Sequence, residues 1–542
     1  MRGLMMDVPL LIISLIAHAA RWHSETEIVT RTVEGPIHRY TYGEAYRRIG
    51  RLANALRTLG VQEDDRVGTL AWNTYRHFEL YYGVPGIGAI CHTINPRLFH
   101  DQIAYIINHA GDRVVFTDLT FVPLLETLAP RLPGVEAFVI LCAAAAMPVT
   151  SLANVHCYET LLAQAKEIGA WPSLDERHAS SLCYTSGTTG NPKGALYSHR
   201  STVLHAYATS LEGSHVREDE TIMPIVPMFH VNAWGLPYDA PLGGAKLVLN
   251  GPKFDPESLY ELIETEGVTL TGGVPTVWLG MLQYLRESGK RFSTLRALRI
   301  GGSAAPPALV RAFEEEYGID IVHGWGMTEA SPVCTHGRPK ARHLKGEARY
   351  DYQTKAGRCL YGVNMRIVDP DGTILPDDGA SPGELQIRGP WVASAYYNDP
   401  AATKAAFTED GWFRTGDVAT LDADGYLQIV DRTKDVIKSG GEWISSIELE
   451  NAAVAHPCVM EAAVIGIPHP KWNERPLLIL QLKPDHALEV HEMQTFLRDK
   501  IAAWWVPEDV IVVADLPHTA TGKISKRELR ARFKDYTARL PR

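Results

Sequence analysis

The chain has 542 residues, of which 45% are hydrophobic, 21% charged and 9% aromatic, an ordinary composition for a folded protein that argues against disorder. That length exceeds what one core usually serves and implies several domains or subdomains. A formal net charge of −10 argues against nucleic acid as the main partner; seven cysteines without a close pair make neither a disulfide framework nor a zinc site and point to a reducing, cytoplasmic setting.

The first element is VPLLIISLIAHAA, between Arg2 and Arg21. Its apolar centre and its Ala17, His18, Ala19 triplet resemble a signal peptide, but it is too short to span a bilayer and Asp7 stands in the would-be basic region. Ile12, Leu15, Ile16 and Ala19 fall at helical spacing toward Trp22, so a docked first helix is expected, with a signal peptide as the alternative and no integral membrane segment. From about residue 40 the pattern alternates: TYGEAYRRIGRLANALRTLG is amphipathic, DRVGTLAW is strand-like, and ELYYGVPGIGAICHTIN runs through glycines into another turn. Such alternation implies an α/β fold, parallel sheets carrying helices on both faces. The alanine run at 143 to 146 reads as a loop.

SSLC reads as the end of a strand, and YTSGTTGNPKG (184 to 194) follows it with almost no apolar side chain. Glycines let backbone N–H groups turn inward, hydroxyls add neutral donors and a lysine adds a point charge. Together they describe a phosphate cradle; a polar surface loop is the alternative. It is not the NTPase P-loop, because two residues rather than four separate Gly187 from Gly190, and Lys193 precedes Gly194. The same strand-to-glycine texture returns in VTLTGGVPTVWLGML and LRALRIGGSAAP, and in open α/β sheets ligands bind at such carboxyl-end loops. After about residue 360 short strands with turn signals take over, as in DPDGTILPDDG and LDADGYLQIVDR. Beyond DRTKDVIKSGGEWISSIELE, residues 435 to 542 hold enough strands and helices for a small α+β domain, with the boundary at 431 to 434. Ser525 and Glu528 have the spacing of a capping box opening the last helix. There is no internal repeat.

Four further stretches follow the loop: PMFHVNAWG (227 to 235), GWGMTEASP (324 to 332), GWFRTGD (411 to 417) and TATGKISKREL (519 to 529). In this order and at these separations, with the loop at 184 and the segment at 431 to 450, they resemble the adenylate-forming acyl-CoA synthetases, a superfamily that also includes luciferases and peptide-synthetase adenylation domains. The resemblance runs from about residue 10 to 535. It implies a large N-terminal domain of stacked α/β sheets (1 to 430) with a small β-barrel-like subdomain, a hinge at 431 to 434 pivoting on Lys434, and a small mobile α+β domain (435 to 542).

What the resemblance implies about the site can be stated residue by residue. Thr185, Ser186, Gly187, Thr188, Thr189, Gly190 and Lys193 would hold the β- and γ-phosphates of ATP. Glu329, with Thr185, would hold Mg²⁺, and Thr328 would meet the α-phosphate. Trp325 takes the place of a family tyrosine stacked on adenine, beside Gly326 and Met327, while Gly301, Gly302, Ser303, Ala304 and Ala305 would let nucleotide and acyl group approach the backbone. Asp417 and Arg432 would contact the ribose. Lys523 would bridge carboxylate and phosphate during adenylation, and after domain rotation Lys438, Ser439, Gly440, Gly441, Glu442 and Trp443 would line the tunnel for coenzyme A. From Lys500 onward nine Lys or Arg face five acidic residues, a charge that fits coenzyme A phosphates or a solvated helix face.

His230 would sit beside the nascent carbonyl, and Trp234 would close the acyl tunnel, with Val231, Val274 and Pro275 nearby. The named pocket residues are apolar, favouring an acid with an uncharged tail. The nearest resemblance is to medium- and long-chain fatty acyl-CoA ligases, extending to relatives that act on short methylthio acids such as 3-methylthiopropionate; an aryl acid is a further option. A carrier-protein adenylating enzyme, a luciferase-like oxygenase and an inactive nucleotide-binding regulator are the remaining alternatives, and related ligases imply a homodimer.

Overall fold

The computed structural model describes the chain except for residues 2, 186–190, 212–215, 338–343, 345, 440–441, 520–522, 535 and 537–542, and except for the side chains of 442 and 443. Ser186, Gly187, Thr188, Thr189, Gly190, Gly440 and Gly441 therefore lie outside the described residues.

The first helix, Ile12–Trp22, docks as its periodicity predicts, burying Ile12, Leu15, Ile16 and Ala19 and leaving Trp22 exposed. The next, Tyr42–Thr58, is opened by a capping box in which Glu44 N–H donates to Thr41 Oγ1 (3.3 Å) and Thr41 N–H donates to Glu44 Oε2 (2.9 Å). The stretch ELYYGVPGIGAICHTIN runs through its glycines into a turn, as expected, but its first part is helical. That part belongs to the helix Tyr75–Gly86, buried at every position, followed by the strand Ile90–Thr93. Its glycines serve close packing: a Cβ on Gly83 would lie 2.6 Å from Leu52, and one on Gly86 would lie 2.6 Å from Trp171.

Two seven-stranded sheets flank that helix. One runs, in spatial order, Val155–Cys157, Ala137–Ile140, Asp112–Thr117, Arg66–Leu70, Ile90–Thr93, Ala179–Tyr184 and Gly194–Ser198, parallel up to an antiparallel last pair. The other runs Asp320–His323, Ala297–Ile300, Leu270–Gly273, Thr221–Pro224, Lys246–Leu249, Glu27–Arg31 and Ile37–Thr41, likewise parallel except at its last pair. Polar groups stitch the two together. Asn73 Nδ2 donates to the carbonyls of Pro224 (2.9 Å) and Val226 (3.0 Å), and Tyr82 Oη donates to that of Pro237 (2.7 Å).

Asn364–Val368, Gly383–Arg388, Phe413–Leu421 and Leu427–Arg432 form a four-stranded antiparallel sheet. The barrel-like subdomain thus takes the form of an open sheet, because its outer strands do not pair with each other among the described residues. The last sheet contains Ile437–Ser439, Glu442–Ile444, Val459–His469, Asn473–Leu482 and Asp509–Val513, and its cores draw only on residues beyond 436.

The last helix, Lys526–Arg532, lacks the expected capping box: Ser525 makes no side-chain cap. Its backbone N–H is committed to the Pro517 carbonyl (2.7 Å), which holds the residue in the bracket that carries Lys523. The alanine run is a short 3-10 turn, Ala144–Ala146, exposed at its first two residues. All seven cysteines are free thiols, and no described helix is long and apolar enough to cross a membrane.

Candidate active site

The site gathers where both large sheets end. Strand Ala179–Tyr184 delivers Thr185, and the returning strand Gly194–Ser198 is preceded by Lys193. Thr185 N–H donates to the Lys193 carbonyl (2.9 Å) and Lys193 N–H donates to Thr185 Oγ1 (3.1 Å), so the polar loop is closed at its base. The Lys193 ammonium lies 4.9 Å over the ring of Tyr396.

Tyr396 leads to the carboxylate. Its hydroxyl donates to Glu329 Oε1 at 2.6 Å, within the turn Thr328–Ala330. Glu329 is 6% exposed, and burial raises its pKa against the lowering pull of the Tyr396 hydrogen bond, Arg432 and Lys193. The turn is anchored by Ala393 N–H on the Glu329 carbonyl (2.6 Å) and by Tyr197 Oη on the Thr328 carbonyl. Gly326 admits no side chain, since a Cβ there would stand 2.1 Å from the Pro332 carbonyl. Met327 N–H donates to that same oxygen at 3.0 Å, completing the tight bend.

Asp417 is 2% exposed and holds two predicted partners together. Trp325 Nε1–H donates to its Oδ2 (3.0 Å), and Arg432 Nε pairs with its Oδ1 (2.8 Å) across directly opposed strand positions. The Trp325 ring is thus fixed at its edge by the same carboxylate that orients a guanidinium.

Lys523 arrives from the small domain. Its Cε lies 3.7 Å from the Cβ a residue at 302 would carry, a point also 3.4 Å from Val274 and 3.9 Å from the Trp234 indole. Gly302 itself has φ +83°, and Gly301 presses against Trp234, 3.3 Å from its own would-be Cβ. Any side chain at 302 would fill the space these groups share. Ser303 and Ala304 continue the turn partly or fully exposed, Ala305 is buried, and Val274 precedes Pro275 at the start of the helix Pro275–Ser288. Burial holds the Lys523 pKa down at about 8, helped by the positive charge of Arg432 and opposed by Asp417. Burial first, then the Lys523 charge, pushes His230 down to about 3, so its ring is neutral.

Between His230 and Gly235 the chain makes a left-handed turn: Val231, Asn232, Ala233 and Trp234 have φ of 42°, 53°, 51° and 57°. Left-handed conformation costs an L-residue roughly 1–2 kcal/mol, so four in succession require firm support. Asn232, buried, supplies some of it by donating from Nδ2 to Ser181 Oγ (3.1 Å). His205, behind the turn, accepts from Val333 N–H (3.0 Å), tying it to the segment that carries Glu329.

Thr433 N–H donates to the Gly416 carbonyl (2.9 Å), and Lys434 lies exposed between Thr433 and Asp435, whose carboxylate pairs with Arg530 (2.5 Å). Lys438 and Ser439 form a hairpin strand opposite Trp443 and Glu442. Their bonds run to their own sheet: Lys438 N–H donates to Glu474 Oε2 (2.9 Å) and Ser439 pairs with Asn473. The structure therefore brings together Thr185, Lys193, Glu329, Thr328, Trp325, Asp417, Arg432, His230, Trp234, Gly302 and Lys523, while Lys438, Ser439, Glu442 and Trp443 belong to strands of a separate sheet. Tyr396, Tyr197, His205 and Asn232 were not legible as site residues. Asn232 alone lay in a motif; the others carry no local pattern.

Family models and known proteins match most of this chain. The family model described as AMP-binding enzyme matches residues 16–397, and the AMP-binding enzyme C-terminal domain matches 448–523. A 3-methylmercaptopropionyl-CoA ligase of Ruegeria lacuscaerulensis is 49% identical, covering 99% of both chains. A medium-chain-fatty-acid–CoA ligase of Ectopseudomonas oleovorans is 47% identical over 99% of both. Among solved structures, the anthranilate CoA ligase AuaEII in complex with anthranoyl-AMP superposes with a TM-score of 0.88 at 26% identity, covering 97% of this chain and 98% of its own. The chain belongs to the AMP-binding enzyme family.

Proposed function

We propose that this protein is an AMP-forming acyl-CoA ligase for a carboxylic acid with an uncharged medium- or long-chain tail. The acid oxygen attacks the α-phosphorus of ATP, pyrophosphate leaves, and the acyl group of the resulting acyl-AMP passes to the thiol of coenzyme A. The carrying observation is Lys523, a half-buried lysine whose stem is set beside Gly302 and Trp234 and whose charge acts on His230, where a carboxylate and an α-phosphate would meet. Preorganised charge at that point stabilises the negative charge that grows during attack.

Thr185, Lys193 and the intervening loop would hold the terminal phosphates, Trp325 the adenine, and Asp417 with Arg432 the ribose. Neutral His230 would donate or accept a hydrogen bond at the acid's carboxyl, and Trp234, Val274 and Gly301 would contact its tail. The oxygen donors present suit Mg²⁺: Glu329 is a buried carboxylate whose pKa is raised by that burial, a hard oxygen donor that a divalent cation would stabilise in its charged form. When bound, Mg²⁺ neutralises phosphate-oxygen charge.

Thiol entry and pyrophosphate exit compete for one space, so residues 435 to 542 would rotate about 431 to 434 between half-reactions. That motion would bring Lys438, Ser439 and the following glycines to the pantetheine arm. The separate core of the small domain supports such a rigid-body movement. A cytoplasmic setting supplies both ATP and coenzyme A.

A short methylthio acid is the second reading, favoured by the 49% identity to a 3-methylmercaptopropionyl-CoA ligase. AMP release measured with ATP and Mg²⁺, with and without coenzyme A, over acids from acetate to palmitate plus 3-methylthiopropionate and benzoate, decides between the two. Coenzyme-A-dependent turnover is expected, and its absence with every acid overturns the ligase reading.

The pH profile provides a further check. Lys523 has its pKa lowered from 10.5 to about 8, so its charge is present below that value and lost as pH rises through it. The expected result is a descending limb near pH 8 in kcat/KM for ATP, measured by pyrophosphate exchange. Thioester formation from supplied acyl-AMP should lack that limb.

A further inference from the structure

A run of four left-handed residues is improbable unless side chains hold it, and the polar side chain inside this run does so. Asn232 is 3% exposed; its Nδ2 donates to Ser181 Oγ (3.1 Å), and its Oδ1 accepts from Cys183 Sγ (3.5 Å). Ser181 and Cys183 are two apart on the strand Ala179–Tyr184 and present the same face, so one carboxamide spans both. The strand's next residue is Thr185, at the base of the polar loop. Asparagine also tolerates positive φ better than other residues of its size. One side chain therefore meets two demands, a left-handed backbone and a buried polar anchor.

We propose that Asn232 is a positioning residue for the acid. Clamped to Ser181 and Cys183, it fixes the turn whose two ends carry His230 and Trp234, and so sets how both face Gly301, Gly302 and Lys523. Without the clamp the backbone is free to relax toward right-handed dihedrals, which swings the indole away from the Gly301 wall it now touches. Because the clamp lands on the strand that also delivers Thr185, the acid-facing turn is referenced to the same rigid element as the nucleotide-facing loop. This inference rests on the acyl-site reading above.

Two variants test it from opposite sides. Asn232→Gly keeps the backbone's tolerance of positive φ and deletes the carboxamide; Ser181→Ala removes one bond while leaving the turn's sequence intact, and stands in if the first variant does not fold. Initial rates of AMP release across the acid panel give KM for acid and for ATP. Misplacing a substrate-positioning group is costly in rate, so Asn232→Gly is expected to raise KM for the preferred acid about tenfold, with KM for ATP within about twofold. It should also broaden the chain-length optimum, which a merely structural role would not do. Ser181→Ala should shift the same quantities less, and the double variant should be no worse than Asn232→Gly alone. Parallel losses for acid and ATP with an unchanged chain-length profile, or additive effects in the double variant, overturn the proposal. A wild-type protein that releases no AMP with any acid overturns the functional reading first; a fully active wild type with unaltered variants overturns this inference alone.

Discussion

Lys523→Ala is expected to slow acyl-adenylate formation by about 10²- to 10³-fold, the effect of deleting one preorganised charge at the reacting centre. Thioester formation from supplied acyl-AMP should stay within about threefold of wild type, because that step no longer has pyrophosphate to separate and the small domain would have turned away. The lysine is half-buried, and alanine also removes a stem packed near Gly302, Val274 and Trp234. Lys523→Met controls for that by keeping the stem and deleting the charge. Both variants should fail alike in pyrophosphate exchange. Equal loss of both half-reactions would show that Lys523 serves the fold or both steps rather than adenylation.

Glu329→Gln is the second large effect. The glutamine carbonyl can still accept the Tyr396 hydroxyl bond that Glu329 Oε1 now receives at 2.6 Å, so the turn should persist. What disappears is the buried negative charge. With no charge to hold a cation against the phosphates, kcat for adenylation is expected to fall about 10²-fold and half-saturating Mg²⁺ to rise severalfold. Titrating Mg²⁺ in the pyrophosphate-exchange assay reads both. An unchanged Mg²⁺ dependence would make Glu329 only the acceptor that seats Tyr396.

Much of the fold could be read from local pattern, for a physical reason. Backbone geometry repeats every few residues, so apolar spacing declares an element without reference to anything distant. The helix Ile12–Trp22 followed its spacing, Tyr42–Thr58 its amphipathic stripe, and the strand Ala297–Ile300 ended where its glycine-rich turn began. The site motifs were legible for a related reason. A phosphate-holding loop needs consecutive hydroxyls, glycines and a lysine in one short stretch, and that density stands out.

Local pattern misled where packing overrode it. The stretch from Glu79 reads only as running through glycines into a turn, whereas those glycines let a wholly buried helix, Tyr75–Gly86, come within reach of Leu52 and Trp171 before that turn. Ser525 had the spacing of a cap, but its N–H was taken by the Pro517 carbonyl.

By itself, then, the sequence determined the alternation of elements, the order of the motifs and the residue types the chemistry requires. Only the tertiary structure decided which groups meet. Tyr396 reaches Glu329 from 67 positions away, Trp325 and Arg432 converge on Asp417, and Lys523 crosses from its own domain to Gly302. Those contacts depend on how sheets and domains stack, which no neighbouring residue encodes. The charges and hydrogen bonds that give the site its chemistry arise from that stacking.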